Sequence, residues 1–180
     1  MFLELQGPRM NVDLSEIRKR TVSISHYIDG LEEPFKESFV ARKQTYQLHK
    51  EAVDQLKQFA HSYMVVAFSA SWCKGCTQNI PVLALIAETT GLQVRVFGGL
   101  MKDPLSHTSK WRIPPSPPEV ITFNVDKIPL IIVFDVNGRE IGRIVESAKQ
   151  CPTLERNSAK SLENSTCNPG ERHRRNQPED

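Results

Sequence analysis

Two cysteines separated by two residues, in the run Ser71-Trp72-Cys73-Lys74-Gly75-Cys76, are the side chains of this 180-residue sequence best suited to covalent chemistry. A thiolate attacks disulfide sulfur, and a second thiol within one helical turn resolves the mixed disulfide that results. The pair follows the apolar run Met64–Phe68 and precedes a segment with helical spacing, a junction at which Cys-x-x-Cys reads as a redox dithiol. Cys73 falls at the mouth of the helix, where unpaired N–H groups and the positive dipole end favour a thiolate, and is expected to be the nucleophile. Cys76, one turn inside, is expected to resolve. Lys74 is the local charge beside them. With the helix end it is expected to hold Cys73 below the free-thiol value of about 8.5, the exposed lysine adding only a screened fraction.

The same spacing also makes half of a zinc knuckle, so a metal carrier is the minor alternative. The remaining thiols, Cys151 and Cys167, lie in a polar tail and make a poor second half. His26, His49, His61 and His107 show no ligand spacing and read as surface or loop residues. No metal and no cofactor is assigned.

The elements that must position the dithiol follow from periodicity. Phe35, Phe39, Tyr46, Ala52, Val53, Leu56, Phe59 and Ala60 recur at mostly helical intervals, with Pro34 suited to a first turn and Asp13 or Ser15 to capping a shorter helix before Arg20. Met64–Phe68 reads as a buried strand. A helix carrying Ile80, Leu83, Ala84 and Ala87 on its apolar side is expected next, stopped by Gly91. Strands follow at Gln93–Gly98, Leu130–Asp135 and Arg139–Val145, the last two joined by the hairpin signal Asn137-Gly138. Between them, residues 103–118 hold five prolines and read as a surface insertion, long enough to suggest a functional role. The class is therefore α/β, a central mixed sheet flanked by helices.

The segment Val66–Cys76 resembles the active-site segment of the thioredoxin superfamily. Pro81 matches the proline that kinks the family's active-site helix. Lys127-Ile128-Pro129, ahead of a strand, resembles the family's cis-proline loop, and the closing hairpin with Gly142 agrees. The resemblance covers roughly residues 45–146. It implies a thioredoxin-like fold, a redox-active disulfide between Cys73 and Cys76, and a substrate groove bordered by Trp72, Lys74, Gly75, Ile128 and Pro129. Three departures stand out. Lys74-Gly75 replaces Gly-Pro, Ala67 stands where the family has a buried aspartate, and Ser69 replaces a tryptophan.

Composition sets the outer limits. The net charge of +2, from 23 basic and 21 acidic residues, argues against nucleic acid or an anionic membrane as the main partner. No apolar run approaches the roughly 18 residues of a membrane span. The first residues lack a signal-peptide pattern, Met10 offers an alternative start to Met1, and a cytoplasmic location is the default. Residues 1–30 read as an N-terminal extension, 31–150 as the thioredoxin-like domain and 151–180 as a tail. Within the tail, Thr153–Asn164 reads as a weak helix and His173, Arg174 and Arg175 as a small solvated cluster. The expected function is that of a monomeric thiol–disulfide oxidoreductase acting on disulfide-bearing proteins, with a reductase or other thiol as electron donor. A thioredoxin-fold binding module with little turnover is the alternative.

Overall fold

The computed structural model describes residues 10–106, 110–111 and 113–145. Its centre is β2 (Tyr63–Phe68), whose last five residues are all buried, as a strand covered on both faces requires. β3 (Gln93–Phe97) pairs with it in parallel and β4 (Leu130–Asp135) antiparallel. β5 (Glu140–Val145) extends the sheet beyond β4, and β1 (Val22–Ser23) lies antiparallel on the outer side of β3. The order β1-β3-β2-β4-β5 makes a mixed sheet with helices packed against it, the α/β architecture expected from sequence.

The helices show where periodicity succeeds and where it fails. α1 (Leu14–Arg20) starts at Asp13, whose carboxylate accepts from the Ser15 amide at 2.7 Å. α5 (Lys74–Thr90) ends at Gly91, which takes the left-handed conformation at φ 78°. The run from Phe35 to Ala60, however, is two helices, α3 (Phe35–Thr45) and α4 (Lys50–Phe59). The chain turns extended at Tyr46, whose ring lies under the Arg42 guanidinium, 4.9 Å from the centroid. Spacings counted across that break therefore belong to different axes.

The residues before 31, read from sequence as an extension, build part of the same core from Leu14 onward. Leu14 and Ile17 of α1, with Ile24, Tyr27 and Ile28 of α2 (Ile24–Asp29), join the central apolar cluster. β1 is too short for alternation to reveal, and its pairing with β3 brings α2 against the sheet. Arg20 reaches the buried carboxylate of Glu119 at 2.6 Å, tying this end of the chain to α6 (Glu119–Thr122).

Aromatic packing fills one side of the sheet. Phe68 stacks on Phe97 at 4.7 Å between centroids, and Phe123 closes over both, at 5.4 and 6.2 Å. The described residues of the proline-rich stretch are irregular, as expected, yet they are pinned to the body of the protein. The Ser116 hydroxyl accepts from the Met101 amide at 2.7 Å, and Met101 bridges to Ile113. Trp111 folds inward and is buried. Among the described residues no helix is long and apolar enough to cross a membrane. Cys151, Cys167 and the expected helix at Thr153–Asn164 lie outside the described residues.

The hairpin between β4 and β5 turns on Gly138, at φ 79°, a conformation that suits glycine. A Cβ there would land on the Val12 carbonyl, because the Val12 amide donates to Gly138 O at 2.9 Å and holds the two segments together. Gly138→Ala is therefore expected to destabilise the protein by roughly 2–4 kcal/mol, combining left-handed strain with a backbone collision. A shift in the denaturation midpoint measures it.

Candidate active site

Parallel pairing sets the C-terminal ends of β2 and β3 side by side, and antiparallel pairing sets the start of β4 beside them, with Leu130 opposite Phe68. The segments leaving β2 and β3 and the one entering β4 therefore meet at one end of the sheet. After β2 the chain makes a turn in which the Cys73 amide donates to Ala70 O at 3.2 Å, and α5 begins immediately. Before β4 lies Ile128-Pro129, whose peptide bond is cis.

Cys73 is the N-cap of α5, in extended backbone geometry, and its sulfur takes the place a capping oxygen usually fills. The Cys76 amide donates to that sulfur at 3.2 Å, and the Cys76 thiol donates to it across a sulfur–sulfur distance of 2.6 Å. Two donors converge on one sulfur at the positive end of a 17-residue helix, the arrangement that stabilises negative charge there. The Ile128 carbonyl, 3.5 Å away, accepts from the Cys73 thiol when it is protonated.

Cys76 is the opposite case. It is fully buried, and burial pushes its thiol well above the ordinary range. The neighbouring Cys73 pushes the same way, while hydrogen bonds from the Ala70 backbone and the Ser69 side chain pull it down. The two thiols thus differ as an attacking and a resolving group must: one is capped by donors at a helix mouth, the other sealed below it as a thiol.

The other residues expected at a groove divide between two sides. Gly75 lies against the proline loop, where a Cβ would meet Pro129 Cδ at 3.0 Å. Pro129 is buried and Ile128 half-buried on the same side, and Lys74 is exposed. Trp72 stands 44% exposed on the other side, its indole N–H donating to Leu100 O at 3.1 Å. An open groove of about 410 Å³ begins there, walled by Tyr27, Leu31, Phe35, Trp72, Leu100 and Pro115 among others. Ile128 and Pro129 are not among its walls. Trp72 is backed by Trp111 at 6.2 Å, ring stacked on ring. Sequence reasoning assigned Trp111 no part, and its signal was a lone tryptophan amid prolines and charges.

Tyr27 also escaped the sequence reading. Its hydroxyl donates to Ser69 Oγ at 3.0 Å beneath the dithiol. Burial pushes the Tyr27 phenol up to about 12, the Ser69 hydrogen bond offsetting part of that and the two cysteines adding to it. Nothing local marks Tyr27 in the sequence.

A dithiol capping a helix opposite a cis-proline loop, at one end of a five-stranded mixed sheet, defines a thioredoxin-like protein. Residues 21–107 match a family model described as thioredoxin, and the fold of the chain is thioredoxin-like. Solved structures agree on the fold. A Pseudomonas aeruginosa protein of unknown function superposes with a TM-score of 0.58 at 15% identity, over 77% of this chain and 80% of that one. An HIV epitope-scaffold superposes with a TM-score of 0.59 at 13% identity, over the same 77% and 80%. No curated protein matches the sequence.

Two predictions follow from the geometry. Gly75→Ala presses a methyl group onto a proline ring that has little room to give. Overpacking of about 1–3 kcal/mol, less the 0.5–1 kcal/mol an alanine gains in a helix, leaves a net loss of roughly 1 kcal/mol, read as a denaturation midpoint. In the reduced protein at pH 7, peptide mapping after brief iodoacetamide treatment is expected to show Cys73 labelled roughly tenfold or more faster than Cys76.

Proposed function

We propose that this protein is a thiol–disulfide oxidoreductase that acts on protein disulfides through Cys73 and Cys76. The observation that carries this reading is the contact set of the Cys73 sulfur, which receives both donors of Cys76 at the head of α5 and faces the Ile128 carbonyl. Cys73 attacks a client disulfide and forms a mixed disulfide. Cys76 then attacks Cys73, closing the internal disulfide and releasing the client thiol. An extended client segment beside the cis-proline loop is placed to pair its main chain with Ile128, and Trp72 offers an apolar wall. Reduced thiols from a reductase or a small-molecule donor reopen the Cys73–Cys76 bond, as expected of a dithiol working in a reducing compartment such as the cytosol.

A second reading, a binding module with little turnover, is favoured by Ala67. That buried position on β2 carries no carboxylate to assist Cys76. Insulin reduction with dithiothreitol as electron source separates the two. The wild-type protein is expected to accelerate precipitation of the insulin B chain well above the dithiothreitol background, and the Cys73→Ser, Cys76→Ser double variant to fall to it. Equal rates for the two proteins would leave the binding module standing.

A further inference from the structure

Trp72 immediately precedes Cys73 and also walls the open groove of about 410 Å³, so one side chain borders both the dithiol and the groove. An indole left 44% exposed at such a place keeps its orientation only if its neighbours hold it. Its N–H donates to Leu100 O at 3.1 Å, which fixes one edge of the ring and leaves it free to pivot about that bond. Its face is held by Trp111, stacked on it with centroids 6.2 Å apart and planes inclined by 27°. Trp111 is itself buried, and its loop is fastened on both sides. Lys110 pairs with Asp126 at 2.7 Å, the Lys110 carbonyl accepts from the Asp103 amide at 2.6 Å, and Ile113 bridges to Met101. Trp111 Nε1 has no hydrogen-bond partner among the described residues, so this indole acts through its faces rather than its N–H.

The groove that this indole walls is apolar. Val22, Phe35, Trp72 and Met101 stay 37–44% exposed around it. Single exposed apolar side chains are ordinary on a protein surface, whereas a contiguous set around a hollow marks a binding surface. Among its described walls only His26, Tyr27 and Glu32 are ionisable, which offers little to a charged ligand. The neighbouring chemistry sets the occupant. Ala70, Ser71 and Trp72 line the groove and also form the turn that delivers Cys73, closed by the Cys73 amide on Ala70 O. Consecutive Cα atoms are 3.8 Å apart, so the Trp72 and Ser71 backbone lies within roughly 8 Å of the Cys73 backbone. An extended client advances about 3.3–3.6 Å per residue, which carries the residue one or two positions from its attacked cysteine to the groove.

We propose that Trp111 is a positioning residue for client recognition. By holding the Trp72 indole as the wall between dithiol and groove, it selects polypeptides with a bulky apolar residue within two positions of the attacked cysteine. The inference rests on the disulfide-exchange reading given above and names the substrate class of that same site. The apolar side chain of the client enters beside Trp72, while its main chain lies toward Ile128, which is not among the groove's walls. Without Trp111 the face of Trp72 is unsupported, the indole turns about its bond to Leu100, and the wall is lost. A small disulfide that carries no such side chain gains nothing from the groove.

The test reads the equilibrium of the mixed disulfide. The full-length protein with Cys76→Ser, Cys151→Ser and Cys167→Ser keeps Cys73 as its one thiol and is converted to its mixed disulfide with glutathione. It is then equilibrated with single-cysteine peptides that differ only in carrying Trp or Ser one or two positions to either side of the cysteine. The peptide thiolate attacks the Cys73 sulfur, the Cys73–peptide bond forms, and glutathione leaves as a thiolate that takes up the peptide's proton. Masses after acid quenching give the exchange constants. At one or more of these positions the Trp peptide is expected to be favoured over its Ser counterpart roughly tenfold. Trp111→Ala is expected to bring that ratio close to one, and Trp111→Phe, which keeps a flat ring and gives up no hydrogen bond, to retain most of it. A merely structural role leaves the ratio unmoved, because both peptides report on the same folded protein. A ratio near one throughout in the parent, or a ratio that survives Trp111→Ala, overturns the inference. If Trp111→Ala fails to fold, Trp111→Leu, which fills the space without a flat face, decides in its place. Failure of Cys73 to form a mixed disulfide with glutathione or any peptide overturns the exchange reading, whereas exchange without preference overturns this inference alone.

Discussion

Because the sulfur of Cys73 serves as the N-cap of α5, accepting the Cys76 amide at 3.2 Å, its position is dictated by where β2 delivers the chain and where the first helical turn begins. Everything else at the site is arranged around that one contact. β4 must start beside the end of β2 for the Ile128 carbonyl to face the sulfur, and antiparallel pairing of Leu130 with Phe68 ensures it. Gly75 must lack a side chain for the proline loop to approach so closely. The aromatic cluster of Phe68, Phe97 and Phe123 stiffens the strand ends from which these segments emerge.

The helix terminus also separates two chemically identical groups. Donors converge on Cys73, whereas Cys76, only three residues on, loses its water and has its thiol pushed upward. A helix end contributes about 0.3–1 kcal/mol at an exposed site and up to about 2 in partly buried geometry. Desolvation of a fully buried group can move a pKa by as much as 3–5 units. Burial is therefore the larger effect, and the reaction order proposed for the two cysteines rests mainly on the sealing of Cys76.

What the sequence disclosed were features with local causes. β2 and β4 were readable because strands covered on both faces become continuous apolar runs, and the hairpin because Gly138 needs a left-handed turn. The dithiol and Ile128-Pro129 were readable because their chemistry restricts residue type. What stayed hidden was made by long-range contact. β1 has two residues and no period, so the place of α2 against the sheet could not be anticipated. Without it, Tyr27 has no reason to meet Ser69, 42 residues away. Likewise Trp111 becomes part of the site because long-range contacts fasten its loop, Ser116 and Ile113 to Met101 and Lys110 to Asp126. The split between α3 and α4 was invisible because apolar spacing continues across the extended residue Tyr46.

The central claim is that Cys73 and Cys76 form one reversible two-electron couple. Equilibrating the protein in a graded series of thiol–disulfide buffers, quenching with acid and trapping free thiols for mass spectrometry measures it directly. The account predicts a single transition in which the peptides of both cysteines lose their trapping mass together. It should follow two-electron behaviour, about 30 mV per tenfold change, with a midpoint between roughly −270 and −120 mV. A pair that stays reduced across the whole series, or cysteines that oxidise at separate midpoints, would contradict it.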